Sequence, residues 1–227
     1  MNSPIQFGTS GWRGLIARDF TFENLRLAAQ GLALSLKAEL RRKKSAIHGK
    51  RPLVIIGHDT RFLGREFALA TAEVLQQAGL DPLLTNRDAP TPVIAFSIRH
   101  KKAIGGLNIT ASHNPFGYSG FKFSMPNGAG APPEFTGKIE DHAAKLLAKG
   151  WQPKTAVVGT FQCKEFDPAP AYLNRIRKLI DLKAIGKAKL RIAVELMHGT
   201  GRGYLDTLLE EAGARITRFH ENLNPLF

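Results

Sequence analysis

The sequence predicts an α/β protein: a layered mixed sheet with flanking helices, followed by an incomplete second α/β unit of the same kind. Three observations carry that prediction. Short β-branched runs alternate with segments of helical period, the pattern of a sheet covered by helices. The runs stop at glycine or polar turn residues, so "GHDTR" (57–61) and "TASHNP" (110–115) fall at strand ends, where open α/β sheets bind ligands. The alternation lapses over Gly150–Pro170 and then resumes for only about 60 residues, fewer than a usual domain needs. The chain accordingly divides into a first domain, 1–165, and part of a second, 166–227.

In chain order, Thr21–Leu40 reads as a long amphipathic helix with Thr21 as its N-cap. Pro52–Asp59 is a β-branched run ending beyond a glycine, which predicts a buried strand. Arg65–Gly79 has helical period and stops at glycine. Leu80–Asn86 is a second strand, Thr91–Lys102 a helix with proline near its start, and Ala103–Thr110 a third strand. The stretch around Gly150–Pro170 reads as an edge strand and a connector. A helix over Ala171–Asp181, a strand over Leu190–Leu196, the turn "MHGTGRG", the helix "YLDTLLEEAG" and the strand "ARITRF" make one β-α-β passage. The last residues, "ENLNPLF", fall where another element is expected.

Composition narrows the class. The chain has 227 residues, 43% hydrophobic, with 22 Gly and 13 Pro, as in a globular protein rich in turns. No apolar run reaches membrane-span length, and "MNSPIQFGTSGWRG" lacks the regions of a signal peptide. The single cysteine, Cys163, excludes an internal disulfide and a Cys-based zinc site, so a reducing cytoplasm is the expected setting. The formal charge of +13 is concentrated over Lys37–Arg51. That run could touch nucleic acid, but no aromatic residue interleaves with it, which argues against that partner. A solvated helix end is the plainer reading. A positive field also suits an enzyme that collects phosphorylated substrates.

Four stretches carry candidate chemistry, all expected at loop tips. "FGTSGWRG" (7–14) offers Thr9, Ser10, glycines that admit a ligand to the backbone, and Arg13, which can clamp a phosphate. It lacks the ending of a Walker loop. "GHDTR" offers Asp59 and Arg61. Thr110–Pro115 offers Ser112, His113 and Asn114, and "GFKF" (120–123) offers Lys122. Each has a structural alternative: a plain turn, a surface ion pair between Asp59 and Arg61, or a serine bonded to its own backbone. Adjacent residues in a strand point to opposite sides, which weakens a proton relay between Ser112 and His113. Cys163 reads as a small, buried or half-buried residue.

Together the four stretches resemble the first domain of the α-D-phosphohexomutases, the phosphoglucomutase/phosphomannomutase family. "VELMHGTGRGYLDTLLEEAGA" resembles the opening of that family's second domain, so the likeness covers nearly the whole chain. "TASHNP" with a following Gly-x-Lys is the specific signature. The resemblance implies an intramolecular phosphotransferase that moves a phosphoryl group between C1 and C6 of a hexose phosphate. It does so through a phosphoserine and a bisphosphorylated sugar. It casts Ser112 as the phosphoryl carrier, Lys122 and Arg13 as charge-stabilising and proton-transfer groups, and His113 as a group that orients substrate. Thr9, Ser10, Asn114, Asp59 and Arg61 become phosphate-binding or loop-supporting residues. It also implies Mg²⁺, with Ser112 as a ligand through its hydroxyl or phosphate, and glucose or mannose 1,6-bisphosphate as activator.

The sequence also departs from the family pattern. A metal loop of the form Asp-Gly-Asp-x-Asp-Arg and a sugar-reading Gly-Glu-x-Ser-Gly loop do not occur, and Asp88 and Asp167 stand alone. Glu195 and Ser119 replace the family's usual aspartate and asparagine. The expectation is the N-terminal portion of a mutase, inactive or nearly so alone and prone to self-association through its incomplete second unit. The "TSG" of the first loop favours the phosphoglucomutase/phosphomannomutase branch over the phosphoglucosamine branch. The competing expectation is a natural short protein that binds phosphosugars without catalysis or works with a partner.

Overall fold

The structure is a computed structural model that describes residues 5–9, 11–42, 51–153 and 161–227. Its first unit contains β1 (Trp12–Leu15), α1 (Phe22–Arg42), β2 (Leu53–His58), α2 (Gly64–Gln77) and β3 (Asp81–Thr85). There follow α3 (Thr91–His100), β4 (Gly106–Ile109), β5 (Tyr118–Ser124), α4 (Pro133–Ala148) and β6 (Lys164–Phe166). The six strands form one sheet in the order β1-β5-β4-β2-β3-β6. β4, β2, β3 and β6 are mutually parallel, and β5 runs antiparallel between β4 and β1. The expected mixed sheet is therefore present, and the stretch near 164 is its edge strand. Thr21 caps α1 as expected, its hydroxyl accepting the Asn24 N–H at 3.2 Å. Residues 43–50 of the basic run lie outside the described residues. Before them, Arg41 and Arg42 occupy the last turn of α1, where cations suit the helix dipole.

Two apolar clusters sandwich the sheet. One packs Trp12, Leu107, Ile109, Phe121 and Phe123 from the strands under α1, α2 and α4. The other packs Ile55 with Val93, Ile94 and Ile98 of α3 on the opposite face, together with Leu173, Tyr204 and Leu208 from beyond the first unit. The helix α4 is not among the elements expected from the sequence. Its buried face, Phe135, Ile139 and Ala143, repeats every four residues. α1 and α4 approach closely at Gly31, where a Cβ would lie 2.7 Å from the Ile139 carbonyl oxygen.

The second unit contains α5 (Ala169–Arg177), α6 (Leu182–Lys187), β7 (Arg191–Glu195), α7 (Leu205–Glu211) and β8 (Arg215–Phe219). β7 and β8 pair in parallel as a two-stranded sheet, joined by α7. The helix expected over Ala171–Asp181 is α5, which ends at Arg177, and a short helix that was not expected, α6, follows it. Asp181 starts α6, its carboxylate accepting the Ala184 N–H at 3.0 Å as an N-cap. Among the described residues, no helix is long and apolar enough to cross a membrane.

Two helical glycines, Gly31 and Gly137, offer a matched test. Gly31→Ala drives a methyl group into the Ile139 carbonyl and is expected to lower unfolding free energy by about 1–3 kcal/mol. Gly137→Ala on α4, where a Cβ meets nothing within 4 Å, is expected to raise it by about 0.5–1 kcal/mol. Urea unfolding of both variants checks the pair.

Candidate active site

The chemistry-bearing loops follow β2 and β4, neighbouring parallel strands, so both emerge at the carboxyl edge of the sheet. The loop after β2 delivers Arg61, whose side chain is 1% exposed. Its Nε donates to Asp59 Oδ2 at 3.1 Å. Nη1 donates to the carbonyls of Pro115 and Tyr118 at 2.8 and 3.0 Å, and Nη2 to those of Ser112 and Asn114 at 2.9 and 2.7 Å. These bonds use all five N–H groups of the guanidinium. The surface ion pair considered from sequence is thus a buried one that holds the next loop from beneath. Burial pushes the Asp59 carboxyl above its ordinary range, against hydrogen bonds from Thr110 and from the Arg61 backbone and side chain.

The loop itself is a turn. Ser112 has φ 58°, in the left-handed region that a serine seldom occupies. Three contacts hold it there. Its N–H donates to Thr110 Oγ1 at 3.0 Å, its carbonyl accepts from Arg61, and the Asn114 N–H closes back on the Ala111 carbonyl at 3.1 Å. Ser112 and His113 are exposed at its tip. The left-handed residue also removes the expected obstacle to their contact: they are not in a strand, and Ser112 Oγ lies 3.4 Å from His113 Nδ1. Asn114 joins two arginines, since its backbone carbonyl accepts from Arg61 and its Oδ1 accepts from Arg13 Nη1 at 2.7 Å.

Arg13 and Lys122 sit on strands rather than at loop tips. "GFKF" lies within β5, which corrects its expected position. Arg13 of β1 pairs with Gly120, and Lys122 pairs with Asn108 of β4. Because Gly120 and Lys122 are two residues apart, Arg13, Lys122 and Asn108 share one face of the sheet. Trp12 and Phe121 take the opposite, apolar face. Gly120 itself has no room for a side chain, since a Cβ there would lie 2.5 Å from the Thr110 carbonyl oxygen and 2.9 Å from that of Trp12. Thr9 is exposed and lines, with Gln6, Gly8, Gly11, Arg13 and His113, a cavity of about 480 Å³. Lys122 lines a second one of about 240 Å³ that shares Gly8, Thr9 and Gly11 with the first and is also lined by Thr91 and Ser124. Ser10 lies outside the described residues.

Sequence reasoning missed Asn108. It is buried, donates from Nδ2 to Thr91 Oγ1 at 3.2 Å, and has no partner for Oδ1. Its one sequence signal is a polar residue inside an apolar strand. Asp88, read from sequence as an aspartate outside any acidic cluster, forms a short ion pair with Arg202 of the second unit. Cys163 is half-buried as expected, and burial pushes its thiol up to about 11. Among the described residues, no group of three or more His, Cys, Asp or Glu could hold a metal ion. Ser112 can supply one oxygen, and the carboxylate in its network, Asp59, is occupied by Arg61. A hard cation needs several oxygen ligands, so these residues by themselves do not make a magnesium site.

An exposed serine on a hydrogen-bonded turn, with a histidine beside it and two cations on the adjoining strands, defines an α/β protein with a serine loop flanked by positive charge. The comparisons sharpen that class. The chain belongs to the phosphoglucomutase/phosphomannomutase family: residues 4–149 match the family model "Phosphoglucomutase/phosphomannomutase, alpha/beta/alpha domain I". It is similar to a phosphoglucomutase/phosphomannomutase of Thermococcus kodakarensis, 32% identical over 92% of this chain and 43% of that protein. It is equally similar to a phosphoglucosamine mutase of Leifsonia xyli, 32% identical over 94% of this chain and 46% of the relative. Among solved structures, a putative phosphomannomutase from Thermus thermophilus superposes with TM-score 0.83 and 34% identity, covering 100% of this chain and 48% of that one. The chain thus spans somewhat under half the length of the relatives it matches. Both mutase branches match at the same identity, so the preference between them rests on "TSG" alone.

Removing the Arg61 side chain leaves the largely buried Asp59 without its cation and takes a donor from each of four carbonyls, of which Pro115 keeps the Tyr118 N–H. Arg61→Ala is expected to cost about 3–5 kcal/mol of stability. Arg61→Lys keeps the charge but offers fewer donors in no fixed fork, so it is expected to fall between. Guanidinium chloride unfolding of the three proteins orders them.

Proposed function

We propose that this chain is the N-terminal part of a phosphohexomutase, with 1–165 as its first domain and 166–227 as part of its second. Ser112 carries the phosphoryl group. In the first transfer the Ser112 Oγ–P bond breaks, a bond from phosphorus to a sugar hydroxyl oxygen forms, and the hydroxyl proton passes to a neighbouring base. The product is a hexose 1,6-bisphosphate, glucose or mannose in type. It reorients, and the phosphoryl group at its other end returns to Ser112 by the reverse step. Such transfers depend on positioning and charge stabilisation more than on covalent work by the protein. Arg13 and Lys122 neutralise charge on the transferring oxygens and assist proton transfer, and His113 orients the substrate. Thr9, Ser10 and Asn114 shape the loop, while Asp59 and Arg61 hold it.

The observation that supports this most is the mounting of Ser112: an exposed hydroxyl on a turn fixed from beneath by Arg61, beside two cations on one sheet face. The magnesium ligands and the sugar-reading groups belong, in this reading, to chain beyond these residues, and this chain alone turns over no hexose phosphate. The setting is cytoplasmic.

Incubation with hexose 1,6-bisphosphate labelled in its phosphoryl groups, in the presence of a separately expressed polypeptide that carries the remaining mutase domains, tests the assignment. Label is expected on Ser112 and absent from Ser112→Ala, with transfer slowed about a hundredfold in Lys122→Ala or Arg13→Ala. Label appearing on another residue, or undiminished in Ser112→Ala, sinks it.

Self-association is part of the same proposal. Nine of the twelve exposed large hydrophobic residues among the described ones lie in 179–227, including Met197 at the β7 end and Phe219 on β8. An apolar surface so concentrated favours association. Sedimentation equilibrium is expected to give a mass that rises with concentration; a constant monomer mass is the contrary result.

A further inference from the structure

The guanidinium of Arg61 spends every in-plane donor on Asp59 and the loop carbonyls, which leaves only its face for further contact. That face meets an aromatic ring from the second unit. Arg61 Cζ lies over the ring of Phe227, 5.1 Å from its centroid. A turn presents the ring: the Phe227 N–H donates to the Asn224 carbonyl at 3.3 Å, and the Leu226 N–H to Asn224 Oδ1 at 3.1 Å. An independent contact anchors the same unit to the same edge of the sheet. Beyond β3, Asp88 accepts from Arg202, while Arg87 donates to the Arg202 carbonyl at 2.8 Å and lies over the Tyr204 ring at 5.8 Å.

We infer that Phe227 is a positioning residue for the Ser112 loop, acting through Arg61. A ring over the guanidinium attracts the cation and keeps water from it, which strengthens the in-plane hydrogen bonds and holds the side chain in one orientation. The geometry of the serine turn then depends on docking of the second unit, although no residue of that unit contacts the turn through these bonds. The turn matters catalytically only under the reading of Ser112 given above, on which the inference rests.

Hydrogen–deuterium exchange tests the contact without requiring turnover. Phe227→Ala is expected to raise exchange of the amides of 112–118 by about two- to fivefold, the size of one exposed cation–π contact. Amides of β2 and β4 should change less than those of 112–118, the thermal midpoint should fall by no more than about 4 °C, and Phe227→Trp should restore protection. In an Arg61→Lys background the same Phe227→Ala change should add less, because the planar face it covers is gone. Unchanged exchange over 112–118 in Phe227→Ala overturns the inference, as does an increase spread evenly over the first unit. Failure of Ser112 to take up label would overturn the catalytic reading while leaving this result standing, so the two failures are separable.

Discussion

The arrangement of this site depends on one buried cation. Arg61 lies where β2 gives way to α2, and its fork reaches four backbone carbonyls that lie 51–57 residues further along the chain. Backbone carbonyls in a turn have no ladder to satisfy them, so a loop with this many inward oxygens needs a donor of matching shape. A guanidinium supplies five N–H groups in a rigid plane, which a lysine cannot. Asp59 offsets the buried charge, and its own carboxylate is kept in place by the Arg61 backbone N–H at 3.1 Å. The strained φ of Ser112 is sustained because its N–H and its carbonyl are both taken up.

The sheet adds what the arginine cannot. With β1 antiparallel to β5 and β5 antiparallel to β4, the alternation of side chains puts Arg13 and Lys122 on one face and Trp12 and Phe121 on the other. A register slip of one residue would exchange the cations for the aromatic core, so burial of Phe121 fixes where the charges emerge. Gly120 lets the Thr110 and Trp12 carbonyls close in on both sides, which brings the serine turn against β5. Asn114 completes the link, because it is bonded to Arg61 beneath and to Arg13 alongside.

Much of this is legible in the sequence where the cause is local. The parallel strands of the first unit, the capped α1 and the serine turn follow from β-branched runs, Thr21 and the Asn-Pro step. "GFKF" reads as a loop tip because of its glycine and lysine, although the longer "YSGFKFS" alternates with the strand period. The glycine and prolines around α4 conceal a helix whose stability comes from packing on α1. The reach of Arg61 cannot be read at all. Asp59–Arg61 looks like a surface pair until tertiary contacts bury it and bring the carbonyls of Ser112 and Tyr118 over it.

The second unit is more than an appendage of this architecture. Its Leu173, Tyr204 and Leu208 complete the apolar cluster over α3, so the face of the sheet that carries Arg13, Lys122 and Asn108 is partly built from beyond the first unit. α3 is held between that cluster and the sheet, and its Thr91 receives the Asn108 amide beside Lys122. The first turn of α3 is therefore at once a wall of the Lys122 cavity and a seat for the second unit's packing. Lys122 of β5 and the turn that carries Ser112 thus each border the second unit by a separate contact, the first through Thr91 and α3 and the second through the face of Arg61.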